Sequence, residues 1–233
     1  MSQSAQLQTF YEDYYNDEVA KKRTITAVQT VDHIQKICGS SLGRILDVGA
    51  GDGAVLQEIE RRKIATSIEA VEISSSGIER INSRNLTTLV RAQSFDGYKL
   101  PYTDKEFDIA LSIHVLEHVE HERLFLRELG RVAKSVFIEV PLEHTFRLDR
   151  SIALGKPFGH INHYTFERFL SVLETSGLTP DKSRVFSNSL PYEQHVGGQA
   201  KGAIKHTIRS GALKVAPRLA PKMFVYLAAA LCR

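Results

Sequence analysis

The sequence predicts an α/β fold with a mostly parallel sheet, and three observations lead to this prediction. Short runs of apolar and β-branched residues alternate with segments whose apolar residues recur at helical spacing. Such alternation is typical of strand–helix–strand units. A glycine-dense turn follows the first apolar run, over 49–53, where a ligand can approach the backbone closely. With 233 residues, 42% of them hydrophobic, the chain can bury one large core.

The elements follow in order along the chain. A helical segment is expected over 5–37, and further helices over 54–63, 76–84, 121–132 and 165–175. Strands are expected over 44–48, 67–73, 87–92, 107–113, 135–140, 182–188 and 223–231. Thr165 is a suitable N-cap and Gly177 a suitable stop for the helix between them, and Pro141 is expected to end its strand. Ligands should lie beyond the carboxyl ends of the strands.

Charge is unevenly distributed along the chain. No acidic residue occurs between Gln194 and Arg233, which hold seven basic residues, whereas the rest of the chain has a net charge of −4. Within this region Lys201, Lys205 and Arg209 recur every four residues beside an apolar stripe: Ile204, Ile208, Ala212, Val215 and Leu219. This pattern predicts a basic amphipathic helix inserted before the last strand.

The basic helix has two interpretations. It is either a solvated helix packed on the sheet, or a substrate lid or membrane-surface element that recognises phosphate or lipid. Nucleic-acid binding is not expected, because aromatic residues do not interleave with the basic ones.

The chain shows no sign of a secretory or membrane-spanning segment. Its N-terminus carries no charged and apolar leader, and the apolar run 223–232 is far shorter than the ~20 residues that a spanning helix needs. Cys38 and Cys232 lack metal-ligand spacing. Because so few cysteines suggest a reducing compartment, we expect a cytoplasmic protein.

Residues 44–53, Arg-Ile-Leu-Asp-Val-Gly-Ala-Gly-Asp-Gly, carry the most functional information. Gly49, Gly51 and Ala54 satisfy the dinucleotide fingerprint, and Glu72 at the end of the next strand is placed to bind a ribose, so both features fit NAD. Asp47 fits NAD less well, because its carboxylate would repel a pyrophosphate. It suits a cation instead, such as the amino group and sulfonium of S-adenosylmethionine.

Four segments in order resemble the class I S-adenosylmethionine-dependent methyltransferases. Leu46–Gly53 resembles their motif I; the others are Leu-Pro-Tyr-Thr-Asp-Lys-Glu-Phe-Asp at 100–108, Val-Leu-Glu-His-Val at 115–119, and Gly-His-Ile-Asn-His-Tyr-Thr at 159–165 with 169–170 and 176–178. Over about residues 44–190 the chain is similar to the type 11 group, which includes quinone-biosynthesis, natural-product and sugar methyltransferases. The resemblance implies a Rossmann-like three-layer sandwich, whose seven-stranded, mostly parallel sheet has an antiparallel last strand.

The resemblance also implies a set of cofactor-binding residues. Asp47 and the turn glycines Gly49, Gly51 and Gly53 would hold the methionine end of S-adenosylmethionine, and Glu72 can accept two hydrogen bonds from the ribose diol. The remaining implied contacts are Ile73 against adenine, one of Gln93, Ser94 and Asp96 at the adenine edge, and Ile113 and His114 under the methionine moiety.

Three histidines are candidates for catalysis. His118, His160 and His163 lie in segments that the fold directs to one rim, and histidine is the usual base near neutral pH, which modestly favours O-methylation over N- or C-methylation. Glu117 and His118 with a later histidine could ligate a divalent metal. We expect no metal, because Leu-Glu-His-Val is frequent in family members that need none.

We therefore expect one domain over 1–233 that methylates a small molecule: a helical cap (1–40), a cofactor-binding core (41–190), a basic insertion or lid (191–222) and a last strand (223–233). The acceptor is expected to be small and either anionic or lipid-linked, and the oligomeric state stays open. Tyr11, Tyr14 and Tyr15 are expected to close over the cofactor. The alternatives are an NAD-dependent oxidoreductase and a non-catalytic binding protein with a methyltransferase fold.

Overall fold

A single seven-stranded sheet organises the molecule. The computed structural model describes residues 17–155 and 159–233; Tyr11, Tyr14 and Tyr15 lie outside them. The strands are β1 (Arg44–Val48), β2 (Ser67–Glu72), β3 (Leu89–Ser94), β4 (Phe107–Ile113), β5 (Ala133–Leu142), β6 (Pro180–Phe186) and β7 (Tyr226–Cys232). Their order is β3-β2-β1-β4-β5-β7-β6, and β7 runs antiparallel to both neighbours while the pairs from β3 to β5 are parallel. The predicted sheet is confirmed.

Helices cover both faces of the sheet. They are α1 (Asp17–Cys38), α2 (Ala54–Arg62), α3 (Ser75–Ser83), α4 (Glu122–Val132), α5 (Leu148–Gly155), α6 (Phe166–Thr175), α7 (Leu190–Gly197), α8 (Gln199–Val215) and α9 (Ala220–Met223), with a 3₁₀ turn over Leu116–His118. One apolar cluster joins β1 to α4 and α6, and a second joins it to α1, α2 and α3. Leu46 belongs to the first cluster and its neighbour Ile45 to the second, since successive strand residues face opposite sides.

The prediction that Pro141 ends its strand is wrong. β5 continues through Pro141 to Leu142, where Pro141 pairs with Leu227 of β7. On the other side β4 already ends opposite Glu139, so Pro141 has a neighbouring strand on one side only. A proline, which lacks an N–H, is tolerated in such an edge-like position.

In the second half of the chain the structure contains the predicted long helices and, in addition, short helices that the sequence did not predict. The basic amphipathic helix exists as α8, and Thr165 caps α6 by accepting a hydrogen bond from the Arg168 N–H (3.1 Å). The short helices α5, α7 and α9 were not predicted, because eight residues or fewer carry little periodic signal. Among the described residues, no helix has the length and apolar character needed to cross a bilayer.

Candidate active site

A cavity of about 520 Å³ opens at the carboxyl ends of β1, β2 and β4. Nine of the candidates for cofactor binding or catalysis line it: Asp47, Gly49, Gly51, Glu72, Ile73, Ile113, His114, His118 and His160. Gly53, Gln93, Ser94, Asp96 and His163 are not among its lining residues. Helix α1 closes one side of the cavity with Arg23, Thr26 and Thr30, which the sequence did not single out.

The glycine turn is held by the carboxylate expected to bind ribose. Glu72 accepts hydrogen bonds from the Gly51 N–H (2.8 Å) and from the Ser74 N–H and hydroxyl (both 3.2 Å). Gly49 has φ +81°, and a Cβ there would lie 2.5 Å from Val115 Cγ2. The turn therefore needs glycine at position 49 both for its backbone conformation and for the close approach of Val115.

Asp47 lies at the bottom of the cavity. Burial and, to a smaller extent, the charge of Glu72 raise its pKa to about 7, against the opposing charge of Arg23. A buried carboxyl whose charge is so poorly compensated would be stabilised by a cationic ligand. This supports the choice of a sulfonium and ammonium ligand over a pyrophosphate.

Gly53 has a structural position rather than one in the cavity lining. It caps α2 at φ +76°, and its Cα faces Ile81 and Arg84. The adjacent Asp52 forms ion pairs with Arg23 (2.7 Å) and Arg84 (3.0 Å). Asp52 thus ties α1 and α3 to the glycine turn, a role that sequence reasoning missed because both arginines are remote along the chain.

None of the three candidates for the adenine edge is among the residues that line the cavity. The Gln93 amide donates to the Tyr102 hydroxyl (3.2 Å), and Asp96 accepts the backbone N–H groups of Tyr98 (2.9 Å) and Lys99 (2.7 Å) in a turn. Ser94 ends the edge strand β3 opposite Glu72. In their place Phe95, Gly97 and Tyr98 line the cavity with Ile73. The sequence held no signal for Phe95, because the alternation of side chains along an extended chain would place it on the same side as Gln93.

His114, in the wall of the cavity, bridges two buried carboxylates. Its Nδ1 lies 3.5 Å from Glu117 Oε1 and its Nε2 lies 3.3 Å from Glu139 Oε1. Glu139 also contacts His33 Nδ1 (2.6 Å) and accepts a hydrogen bond from the Thr30 hydroxyl (3.1 Å). This network joins α1 to β4 and β5, and Glu139 lay outside the sequence-based candidates because it sits within an apolar strand.

Within this network His114 and Glu139 shift each other's pKa. Burial lowers the pKa of His114, but hydrogen bonds with Glu117 and Glu139 outweigh it and raise the pKa to about 10. Burial raises the pKa of Glu139, but the hydrogen bonds with His114 and His33 outweigh it and lower the pKa to about 2. His114 is therefore a cation at neutral pH and Glu139 an anion.

The buried pair predicts how stability depends on pH. The pKa of Glu139 is lower in the folded state than its unfolded value of 4.5, so Glu139 stabilises the fold at pH values above 4.5. This stabilisation is lost as the pH falls through about 2. The pKa of His114 is higher in the folded state than its unfolded value of 6.5, so His114 stabilises the fold at pH values below 6.5. This stabilisation is lost as the pH rises through about 10. We expect the contribution of the pair to the free energy of unfolding to be greatest between pH 4.5 and 6.5, as measured by urea titration.

Glu139→Gln tests this prediction. We expect it to lower the free energy of unfolding near pH 6 by about 3–5 kcal/mol, because it leaves buried partners uncompensated, and to flatten the pH dependence. Glu106→Gln is the control, since Glu106 pairs with Arg44 at the surface and should contribute no more than about 1 kcal/mol. Equal losses in both variants would contradict the assignment.

Two of the three candidate histidines meet at the other end of the cavity. The rings of His118 and His160 pack edge to face with centroids 4.8 Å apart. His160 Nδ1 lies 2.8 Å from Glu143 Oε2, and Glu143 also lines the cavity. His163, the third candidate, is not among the residues that line the cavity. Burial lowers its pKa.

The two cavity histidines differ in protonation. Burial lowers the pKa of His118, despite the opposing charge of Glu117. For His160 burial acts in the same direction, but the hydrogen bond with Glu143 and the charges of Glu117 and Glu143 outweigh it, so the pKa is raised. His160 therefore is the more basic of the two.

One cluster of side chains has the composition of a metal site: Glu117, His118 and His160. Their donor atoms lie within 4.8 Å of one another. Tetrahedral ligands around zinc lie only about 3.4 Å apart at ordinary bond lengths, so the cluster would have to contract. The absence of a metal requirement stays a prediction.

We expect chelation to leave activity unchanged. Dialysis against EDTA should alter the methyl-transfer rate by less than about twofold, because a histidine rather than a Lewis acid would activate the acceptor. Added Mg²⁺ or Zn²⁺ should likewise have no effect. Loss of the rate with EDTA and its recovery with one metal ion would refute this prediction.

Comparison with known families decides the kind of protein. A family model described as a methyltransferase domain matches residues 14–183. The chain belongs to this family. It is a class I methyltransferase of the type 11 group, and its cofactor is S-adenosylmethionine. The family match favours this interpretation over an NAD-dependent oxidoreductase.

Relatives of the methyltransferase act on different atoms. It is 28% identical over 161 residues to a mitochondrial ubiquinone biosynthesis O-methyltransferase of Schizosaccharomyces pombe, covering 62% of this chain and 56% of that protein. It is 35% identical over 109 residues to ajmaline N-methyltransferase of Rauvolfia serpentina, covering 44% and 36%. The chain thus spans less than two thirds of the length of these curated relatives.

A solved structure shares the whole fold. Geranyl diphosphate C-methyltransferase of Streptomyces coelicolor superimposes with a TM-score of 0.71 at 12% identity, covering 100% of this chain and 97% of that one. At this identity the likeness shows the fold alone. Since the names of these three proteins include O-, N- and C-methylation, the acceptor atom has to be argued from the site.

Proposed function

We propose that this methyltransferase methylates a hydroxyl oxygen of a small molecule, with His160 as general base and Glu143 as the residue that orients it. The observation that carries the proposal is the 2.8 Å contact between His160 Nδ1 and Glu143 Oε2. Donation of the Nδ1–H to the carboxylate fixes the tautomer in which Nε2 carries the lone pair, and Nε2 is the atom that would receive the acceptor proton. This is the arrangement that a base needs near neutral pH.

The cofactor would occupy the end of the cavity opposite His160. S-adenosylmethionine supplies an electrophilic methyl carbon on a cationic sulfur and leaves as the neutral thioether. We infer that Glu72 binds the ribose hydroxyls, that Asp47 binds the amino end, and that Ile73 and Phe95 enclose the adenine. The acceptor then occupies the end lined by His118, His160 and Glu143.

The residues around the acceptor position would align it and receive its proton. As the oxygen bonds to the methyl carbon, the carbon–sulfur bond breaks with its electron pair left on sulfur, and the hydroxyl proton passes to His160 Nε2. Burial keeps His118 neutral at physiological pH, so it can accept or donate a hydrogen bond without adding charge. Alignment of the three reacting atoms contributes much of the rate.

The acceptor itself is proposed only by class. A cavity of about 520 Å³ has the size of small-molecule sites. Asn188, just before the predicted insertion, and Tyr192, at its start, line the cavity and would contact the acceptor. We infer a small acceptor that is anionic or lipid-linked, in keeping with the basic C-terminal region, and a cytoplasmic location, in keeping with two free cysteines.

A paired acceptor panel tests the choice of oxygen. The enzyme is incubated with methyl-labelled S-adenosylmethionine and with hydroxyl compounds, each beside its amine and deoxy analogues. We expect label in the hydroxyl compounds and an O-methyl resonance in the product by NMR. Preferential labelling of amines, or of carbon in the deoxy analogues, would contradict the proposal.

A further inference from the structure

Helix α8 and the segment after it expose a row of apolar side chains. Ile204, Ile208 and Val215 are exposed by 61%, 55% and 87%, and because they are 4 and 11 residues apart they share one face of α8. Leu219 (48%) and Met223 (51%) continue the exposed apolar surface toward α9. Among large hydrophobic side chains this is an unusual concentration, and exposed apolar patches mark interaction surfaces.

Phe146 belongs to the same surface. Its backbone N–H donates to the Lys222 carbonyl (2.7 Å), which places it beside α9, and it is 73% exposed. At the other end, Ile204 and Ile208 border a shallow groove of about 300 Å³ with Phe224. We call the set Phe146, Ile204, Ile208, Val215, Leu219 and Met223 the apolar ridge.

Cations flank the apolar ridge, and they are of two kinds. Lys205 and Arg209 form ion pairs with the fully buried Glu193 (2.7 and 2.8 Å), so they fasten α8 to α7. The other four side chains are exposed and pair with no carboxylate among the described residues: Lys201, Lys214, Arg218 and Lys222. No acidic residue occurs between 199 and 223, so this segment contributes only positive charge to the surface.

The apolar ridge lies at the ligand end of the sheet. The Tyr226 hydroxyl, at the start of β7, donates to the Arg209 carbonyl (2.7 Å), and Tyr226 pairs with Leu142 at the carboxyl end of β5. His206 donates from Nδ1 to the Asn188 carbonyl (2.9 Å), and Asn188 lines the cavity. The surface is therefore tied by hydrogen bonds to the rim of the acceptor site.

We propose that the apolar ridge and its four unpaired cations form a docking surface for an anionic lipid bilayer, on which α8 lies in the plane of the interface. Apolar side chains beside lysines and arginines are the combination that inserts into the headgroup region of such a bilayer. A second copy of the chain fits less well, because a symmetric contact would bring the two sets of cations together. Docking would present the cavity to acceptors dissolved in the membrane.

Vesicle binding tests the proposal independently of methyl transfer. The full chain is mixed with phosphatidylcholine vesicles and with vesicles containing about 30% phosphatidylglycerol, and bound protein is measured by flotation. We expect binding only to the anionic vesicles, weakened at least fivefold when salt is raised from about 0.1 to 0.5 M, because salt screens the surface charges. Equal binding to both vesicles, or to neither, would overturn the proposal.

Two pairs of variants locate the surface. Ile204→Ser/Ile208→Ser and Lys201→Gln/Lys214→Gln should each weaken vesicle binding at least tenfold while S-adenosylmethionine affinity stays within about twofold. The matched controls are Val90→Ser/Leu124→Ser, which changes exposed apolar side chains elsewhere, and Lys63→Gln/Arg127→Gln, which removes exposed cations elsewhere. Equal losses in the controls would overturn the assignment, as would a change of sedimentation coefficient in the isoleucine variant, since that would show a second copy on the ridge.

Discussion

Glu72→Ala is expected to raise the Kd for S-adenosylmethionine about 100-fold or more. The carboxylate can accept two hydrogen bonds from the ribose diol, and bonds to a charged group contribute about 1.5–3 kcal/mol each. The same carboxylate holds the Gly51 N–H and Ser74, so the substitution also loosens the turn on which the methionine end would lie. Isothermal titration calorimetry measures the change in affinity.

A loss of affinity must be separated from a loss of folding. Glu69→Ala is the matched control, since Glu69 is an equally buried carboxylate on the same strand that pairs with Arg44 and Arg91 outside the cavity. We expect it to lower the Tm yet leave the Kd within about twofold. Glu72→Gln, which keeps one carbonyl acceptor, should fall between the alanine variant and the wild type. An unchanged Kd in Glu72→Ala would rule out the ribose contact.

His160→Ala is expected to lower kcat by about 10²- to 10⁴-fold, the range that a positioned general base contributes. The Kd for S-adenosylmethionine should stay near that of the wild type, because the cofactor would bind at the other end of the cavity. His195→Ala is the control, since His195 is exposed on α7 and does not line the cavity. A kcat within about threefold of the wild type would exclude His160 as the base.

The pH profile gives the base a second signature. A base acts when deprotonated, so kcat should rise with pH through the pKa of His160, which lies above the ordinary 6.5. Glu143→Gln removes the carboxylate that raises this pKa, so the rising limb should move to lower pH. A limb that stays in place would mean that Glu143 does not act through His160.

The sequence was most informative where local pattern and chemistry coincide. The strand–turn–helix over 44–62, the sheet, and the cavity positions of Asp47, Glu72 and Ile73 follow from apolar alternation, dense glycines and the motifs that resemble the methyltransferases. These features are local, so a single stretch of chain is enough to predict them.

The rest depends on contacts between remote segments. The pairing of Arg23 with Asp52 spans 29 residues, and that of His33 with Glu139 spans 106. No spacing rule predicts such contacts, because they arise only when α1 packs across the strand ends. Gln93 and Asp96 were candidates from the sequence, whereas Phe95, which lies between them, lines the cavity. The sequence does not predict this, because side-chain direction at the end of an edge strand depends on the surrounding turn.

Cofactor binding by the full chain decides whether the cavity is an S-adenosylmethionine site. S-adenosylmethionine, S-adenosylhomocysteine and NAD are titrated in parallel by calorimetry. We expect micromolar binding of the first two, since the cavity pairs a buried Asp47 with Glu72 at the glycine turn, and no heat from NAD. Binding of NAD alone, or of none of the three, would exclude an S-adenosylmethionine site, and the second result would favour a non-catalytic protein of the same fold.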